Sequence, residues 1–347
     1  MPALVCNQEI VLLMNSGPAS RHPARLLRSM LFVPATSERF FSKALASDAD
    51  GIIFDLEDAV AEGQKEWARK LVVSALNDLD FGAKTVAVRI NGIAAPQMYK
   101  DAVILAEQCP RLDLILQPMA EHAWHVHCVA TLLDQVQRST GNDRTIGIEA
   151  IIETPMGLEN LGEIAQVSQR LEALSFGAGD YAAAMRMKNH IVGAPDSSYR
   201  IRPDAEFGES GSADQFGDKW HYPMARVANA CHAYGLRARD SAYADFKNPE
   251  GFRAAAMRSR ALGFQGKSAI HPSQVSICNE VFSPSPEEVA WAENVIRELE
   301  RAARAGDGGV AMKGEMVDEA HGKLARSILE EQELVQRKQK GIGTRVS

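Results

Sequence analysis

The side chains from which this chain could build chemistry are mostly carboxylates. Asp55, Glu57 and Asp58 share one short stretch, and Glu153 and Asp180 each follow a short apolar run. Arg89 stands out beside them in Val86-Ala87-Val88-Arg89-Ile90-Asn91. Two carboxylates from neighbouring strand ends can hold a hard divalent cation, with waters and substrate oxygens completing its shell. Glu153 and Asp180 are the best pair for this. A guanidinium at Arg89 could grip a carboxylate bidentately. The same residues have ordinary structural uses. Carboxylates cap strand ends and pair with cations, and Arg89 could bridge to Asp55 or Glu57. Asn91, Asp240 and His271 also close apolar runs, and His271-Pro272 is either a turn or part of a ligand wall.

These positions matter because of the elements that carry them. Short β-rich runs alternate with longer amphipathic runs, the pattern of a parallel sheet. Strands are expected at 29–33, 51–56, 85–90, 112–117, 145–152, 173–176, 235–239 and 266–270. The helices between them include 62–76, with Trp67, Leu71 and Ala75 on one stripe, and 121–138, with Val126, Val129, Leu133 and Val136. Another is expected at 249–262, opening on Pro249. Eight successive β/α units point to a closed (β/α)8 barrel, the TIM barrel, in which reactive groups sit at the C-terminal ends of strands. An open doubly wound sheet would carry a glycine-rich first turn, and none follows Val33. The stretch 188–220 is rich in Gly, Pro, Asp and Ser and lacks periodicity, as a functional insertion does. Helices at 287–304 and about 319–337 form a C-terminal extension. The domain expectation is a loosely ordered leader at 1–26, a catalytic barrel at 27–305 and an extension at 306–347.

Composition excludes other classes. With 38 Lys+Arg against 45 Asp+Glu, the net charge of −7 argues against a nucleic-acid partner. No apolar run is long enough to span a bilayer, and the N-terminus lacks the basic start of a signal peptide. The cysteines, Cys6, Cys109, Cys128, Cys231 and Cys278, are odd in number and widely spaced, which suits free thiols in a reducing cytoplasm. Gly266-Lys267-Ser268 resembles the end of a P-loop, but Ala261 stands where the first glycine is needed. His122, His125 and His127 read as a solvated helix face rather than a metal site.

Arg28-Ser29-Met30-Leu31-Phe32-Val33-Pro34, Asp55-Leu56-Glu57-Asp58-Ala59-Val60, Val88-Arg89-Ile90-Asn91-Gly92, Ile152-Glu153-Thr154-Pro155-Met156-Gly157, Gly177-Ala178-Gly179-Asp180 and Gly266-Lys267-Ser268-Ala269-Ile270-His271-Pro272-Ser273-Gln274 occur in that order. Together they resemble the citrate lyase β-subunit-like (HpcH/HpaI) aldolases over residues 28–335. Trp220-His221-Tyr222 and Lys313-Gly314-Glu315-Met316-Val317-Asp318 resemble the malyl-CoA/β-methylmalyl-CoA lyase branch. The resemblance implies a Mg2+ ion, with Mn2+ as an alternative, on Glu153 and Asp180. It implies an oxo-acid carboxylate or carbonyl on Arg89, contacts from Gly179 and Asp180, and a CoA thioester against Phe32, Lys43, Ile270 and His271. Relatives carry an arginine where Ser37 stands, and Arg39 is taken in its place. Ser241-Ala242-Tyr243-Ala244-Asp245, Ser268 and Glu315 also depart from the branch pattern. Asp318 is implied to be a catalytic acid/base delivered onto a neighbouring barrel in a homotrimer or homohexamer; its residue type and position alone suit an N-cap.

The implied activity is reversible aldol (Claisen-type) cleavage of malyl-CoA or β-methylmalyl-CoA to glyoxylate and acetyl-CoA or propionyl-CoA. Asp318, Arg89 and Glu57 are the expected catalytic residues. The partners expected are a CoA thioester and a 2-oxo acid, with no nucleic acid and no membrane. Rival expectations are a citramalyl-CoA lyase, a malyl-CoA thioesterase and a non-catalytic CoA-ester-binding protein.

Overall fold

The computed structural model describes residues 22–188, 191–196, 199–201, 215–312 and 314–341. Eight parallel strands close into a barrel: β1 Ser29–Pro34, β2 Gly51–Asp55, β3 Thr85–Arg89, β4 Leu114–Gln117, β5 Gly147–Ile152, β6 Leu171–Phe176, β7 Arg237–Asp240 and β8 Gly266–Ala269. Each pairs with its sequence neighbours, and β8 closes on β1 through Ser29 opposite Lys267. Helices α1 Glu38–Leu45, α2 Lys65–Asp78, α3 Met98–Gln108, α4 Ala123–Thr140, the short α5 Pro155–Glu159 and α6 Leu161–Ile164, α7 Ala178–Ala184, α8 His221–Tyr234, α9 Pro249–Ala261 and α10 Val275–Val281 follow the strands. Strands covered on both faces are buried almost throughout. Outward side chains such as Phe54, Val88, Ile115 and Ile148 form the main core with the helices. Met30, Ile53, Ala87, Leu114, Leu116 and Ile151 fill the barrel itself.

Element ends differ from the expected ones for local reasons. Leu112 and Asp113 stay outside β4 because the Asp113 carboxylate accepts the Val86 amide at 2.8 Å and binds Arg111 at 2.6 Å. Gly235 belongs to the end of α8, with the left-handed φ of 71° that ends many helices. The buried stripe of α2 is Ala68, Val72, Ala75 and Leu76, while Trp67 is 49% exposed. Polar contacts turn the helix: Lys65 donates to the Leu56 and Glu57 carbonyls at 2.9 and 2.7 Å, and Arg69 pairs with buried Asp101 at 2.6 Å. The stripe expected on α4 is buried.

Of the expected leader, residues 1–21 lie outside the described residues. Arg25 and Leu26 are buried at the barrel bottom, where Arg25 binds Glu172 at 2.9 Å. Within the expected insertion, Arg200–Ile201 pairs antiparallel with Gln215–Phe216, and Trp220 is fully buried with its indole N–H on the Ala194 carbonyl at 2.9 Å. Residues 189–190, 197–198 and 202–214 lie outside the described residues.

The C-terminal part is an antiparallel helix pair, α11 Pro286–Ala305 and α12 Glu319–Gln339, joined by the hairpin β9 Val310–Met312 and β10 Glu315–Val317. Ser285 and Glu288 form a capping box at the start of α11, and Gly306 ends it at φ 88°. Ala292, Val295, Val317 and Ala325 make a small core of their own. Lys338 near the end of α12 reaches back to the barrel bottom, 2.6 Å from Asp50. Among the described residues no helix is long and apolar enough to cross a membrane.

Candidate active site

The strand ends converge on one cavity of about 320 Å³ at the C-terminal mouth of the barrel. Asp55 from the end of β2, Arg89 from the end of β3, Glu153 just past β5, and Gly179 and Asp180 in the first turn of α7 all line it. Phe32 from β1 and Ile270 just past β8 close its sides. The sequence separates these residues by up to 238 positions; the barrel brings them together because parallel strands end on one face.

Arg89 is fully engaged in carboxylate contacts. Its Nε and Nη2 donate to the two oxygens of Asp55 at 2.8 and 2.6 Å, while Nη1 lies 2.9 Å from Glu57 and 3.0 Å from Asp58. The guanidinium also lies 5.3 Å above the Phe32 ring, a cation–π distance. Despite its burial, the surrounding carboxylates raise its pKa, so it stays charged. The ordinary use of Arg89, a bridge to Asp55 and Glu57, is therefore realised at the cavity wall.

Glu153 is buried, at 4% exposure, and accepts the Met119 amide at 2.7 Å. Burial pushes its carboxyl up to about 8, with Glu57 and Asp180 adding repulsion that the Met119 bond and Arg89 only partly offset. Burial likewise pushes Glu57 up to about 7, against the pull of Arg89 and with Asp58, Asp55 and Asp180 raising it further. Carboxyls that repel one another in a partly dry site are poised to accept a cation. Among the described residues there is no group of three or more His, Cys, Asp or Glu that could hold a metal. Glu153 and Asp180 are the two carboxylates at this mouth that could hold a divalent cation, with water and substrate oxygens completing its shell.

Two backbone features position Glu153. Gly177 at the end of β6 must be glycine, because an added Cβ would lie 2.5 Å from Glu153 Oε2 and closer still to its Cβ. Met119 adopts a positive φ of 52°, rare for a non-glycine residue, and so aims its amide at Glu153. His125 supports that loop: its Nδ1 lies 3.1 Å from the Met119 carbonyl and accepts the Glu121 amide at 3.3 Å. His125 is only 5% exposed, which corrects the reading of a solvated histidine face at that residue, while His127 is exposed as expected.

The remaining expected residues lie elsewhere. Arg39 and Lys43 are exposed on α1 and do not line the cavity, and Arg39 stacks over Phe40 at 4.8 Å. His271 is exposed at the rim, stacked on Phe246 at 4.9 Å and capping the turn at Pro272 through Ser273. Asn91 and Asp240 serve structure: Asn91 donates to Asp101 at 2.6 Å, and Asp240 binds buried Lys267 at 2.5 Å. Asp318 lies outside the cavity. It caps α12, accepting the Ala320 amide at 3.0 Å and facing His321 Nδ1 at 2.8 Å, and these bonds hold its carboxyl below the usual range. Lys313 lies outside the described residues. Cys109, Cys128, Cys231 and Cys278 are free.

Residues that pattern reading did not single out complete the cavity floor: Ser175 on β6 and Arg239 on β7. Inward alternation along those strands was the available signal, but a lone Ser and a strand arginine carry no distinctive spacing.

The HpcH/HpaI aldolase/citrate lyase family profile matches residues 28–272. The L-malyl-CoA/β-methylmalyl-CoA lyase of Cereibacter sphaeroides is 39% identical over 90% of this chain and 96% of its own. The (3S)-malyl-CoA thioesterase of the same species is 34% identical over 90% and 97%. Among solved structures, the CitE protein of Mycobacterium tuberculosis in complex with magnesium, acetoacetate and coenzyme A superposes with a TM-score of 0.65 at 27% identity, covering 90% of this chain and 99% of that one. A profile spanning most of the barrel, and relatives aligned almost end to end, agree with the carboxylate-and-arginine mouth: this chain belongs to the HpcH/HpaI aldolase/citrate lyase family and is a carbon–carbon lyase.

Proposed function

We propose that the protein cleaves malyl-CoA or β-methylmalyl-CoA reversibly to glyoxylate and acetyl-CoA or propionyl-CoA. The observation that carries this reading is the meeting of Arg89, Glu153 and Asp180 at one cavity. That set is complementary to a small oxo acid: a cation site beside a guanidinium. The 39% identical lyase relative supports the choice of substrate.

Glu153 and Asp180 would hold Mg2+, or Mn2+ in its place. When bound, the ion supplies Lewis acidity and positive charge at the bond that breaks. Arg89 orients the carboxylate of the oxo-acid half through Nη1, which the exposed Asp58 yields most readily. Glu57 removes the hydroxyl proton; a carboxyl pushed up to about 7 is matched to base catalysis near neutrality. The carbon–carbon bond then breaks, leaving the aldehyde of glyoxylate and the thioester enolate. Asp318 of a neighbouring subunit protonates the enolate carbon, or takes that proton in the condensation direction. Because Asp318 lies outside its own cavity, this role calls for a neighbouring subunit, and the proposed assembly is a homotrimer or homohexamer in which the extension of one copy covers the barrel of the next. Phe32, Ile270 and His271 at the rim, with Arg39 and Lys43 on α1, would receive the CoA moiety. The free cysteines accord with a cytoplasmic setting.

The test is a panel of malyl-CoA, β-methylmalyl-CoA and citramalyl-CoA with Mg2+ and a trap for oxo acids. Glyoxylate from the first two is expected. Pyruvate from citramalyl-CoA alone would move the assignment to a citramalyl-CoA lyase. Free thiol with malate would favour hydrolysis, the activity named for the thioesterase relative.

A further inference from the structure

The barrel interior is divided. The wall formed by β1 to β4 is apolar, with Met30, Ile53, Ala87, Leu114 and Leu116. The wall formed by β5 to β8 carries Glu149, Ser175, Arg239 and Ser268, all buried. Arg239 spans that wall, donating through Nη1 to the Ser268 hydroxyl and through Nη2 to Glu149 Oε1. Three polar atoms there have no hydrogen-bond partner among the described residues: Arg239 Nε, Ser175 Oγ and Glu149 Oε2. Arg239 and Ser175 are 1% and 2% exposed, and both line the cavity. Leaving such groups unpaired in a dry interior is costly, so a set of them beside a ligand cavity points to a ligand group.

We propose that Ser175 and Arg239, backed by Glu149, form a recess that lets the site take, besides glyoxylate, a 2-oxo acid ending in an uncharged polar group, a hydroxyl or carbonyl. This rests on the proposed lyase reading and names the substrate class of the same site. The large CoA moiety enters from the mouth, so what lies beneath the carboxylates belongs to the oxo-acid half. Ser175 is two residues before Gly177 on β6, roughly 6.6 Å further down the strand, so the recess lies below the level of the carboxylates. The Ser175 hydroxyl turns among staggered rotamers without backbone movement. A substituent hydroxyl would accept from Arg239 Nε and donate to Ser175 Oγ, the two unpartnered atoms whose residues line the cavity, with Glu149 holding Arg239 from behind. A carboxylate is disfavoured, because Glu149 already neutralises Arg239 and its second oxygen would face the added charge.

The experiment is calorimetric titration of the Mg2+-loaded full chain with hydroxypyruvate, pyruvate and oxaloacetate, for the wild type and for Ser175→Ala. Hydroxypyruvate is expected to bind at least about tenfold more tightly than pyruvate. In Ser175→Ala that ratio is expected to fall below about threefold. Equal binding of the two, retention of the full ratio in Ser175→Ala, or tightest binding of oxaloacetate would overturn the inference alone. The lyase reading is tested separately by glyoxylate release from malyl-CoA. No binding of any of the three would also overturn the inference, and the lyase reading would stand or fall on the glyoxylate assay.

Discussion

Asp55 holds Arg89 in a parallel pair of hydrogen bonds of 2.8 and 2.6 Å, so the guanidinium is oriented before any substrate arrives. The pair joins the ends of β2 and β3, where Asp55 and Arg89 stand opposite each other in register. Pre-orientation of this kind lowers the cost of fixing a substrate carboxylate, because the fork is already immobile.

Removing that partner tests the arrangement. Asp55→Asn is expected to raise KM about tenfold or more and to lower the thermal midpoint, since it leaves a largely buried cation under-paired. Asp58→Ala is expected to change kcat/KM by less than about threefold, because the Asp58 side chain is 69% exposed. Steady-state kinetics and thermal unfolding of the two variants give the comparison. Equal effects would show that Asp55 has no special hold on Arg89.

Gly177 sets the position of Glu153. In Gly177→Ala the new methyl displaces the Glu153 carboxylate, and Mg2+ affinity is expected to fall by about tenfold or more. Titration of Mg2+ by calorimetry reads this without turnover. Unchanged affinity would mean that Glu153 is not a ligand.

Eight strands could be placed from the sequence because fully buried parallel strands read as short apolar runs between amphipathic helices. Their ends were less legible. The Asp113 carboxylate and the left-handed Gly235 set two of them, and neither acts through periodicity. The face of α2 was misread for a related reason: Lys65 and Arg69 turn inward to carbonyls and to Asp101, which hydrophobic spacing does not register. At the site, Arg89, Glu153 and Asp180 were legible as strand-end residues. The support from Met119 was not, because a positive φ at a methionine leaves no mark in composition.

The extension carries a pH-sensitive contact. Burial pushes the Glu331 carboxyl on α12 up to about 7; Arg260 and Arg28 oppose the rise, while Glu288 and Asp50 add to it. A raised acid favours the folded state most where it is protonated, below its unfolded value of 4.5, and that advantage is lost as pH rises through about 7. Amide exchange in 319–339 is therefore expected to quicken between pH 5.5 and 8.5 beyond the intrinsic chemical effect. Glu331→Gln should remove the excess. Equal protection of wild type and variant at both pH values would contradict this account.

Asp318 caps its own helix and lies away from its own cavity, so subunit exchange should reveal where it acts. Arg89→Ala and Asp318→Asn are each expected to be folded and nearly inactive. Random re-assembly of an equal mixture should restore about a quarter of wild-type turnover, the share of sites with an intact barrel and an intact neighbouring tail. Absence of any recovery in verified mixed oligomers would place Asp318 outside the site.

The most direct test of the central claim is product identification from malyl-CoA by mass spectrometry, with Mg2+ and again after chelation. The account predicts glyoxylate and acetyl-CoA in equal amounts, and their loss when the metal is removed. Malate with free CoA, or an untouched thioester, would contradict it.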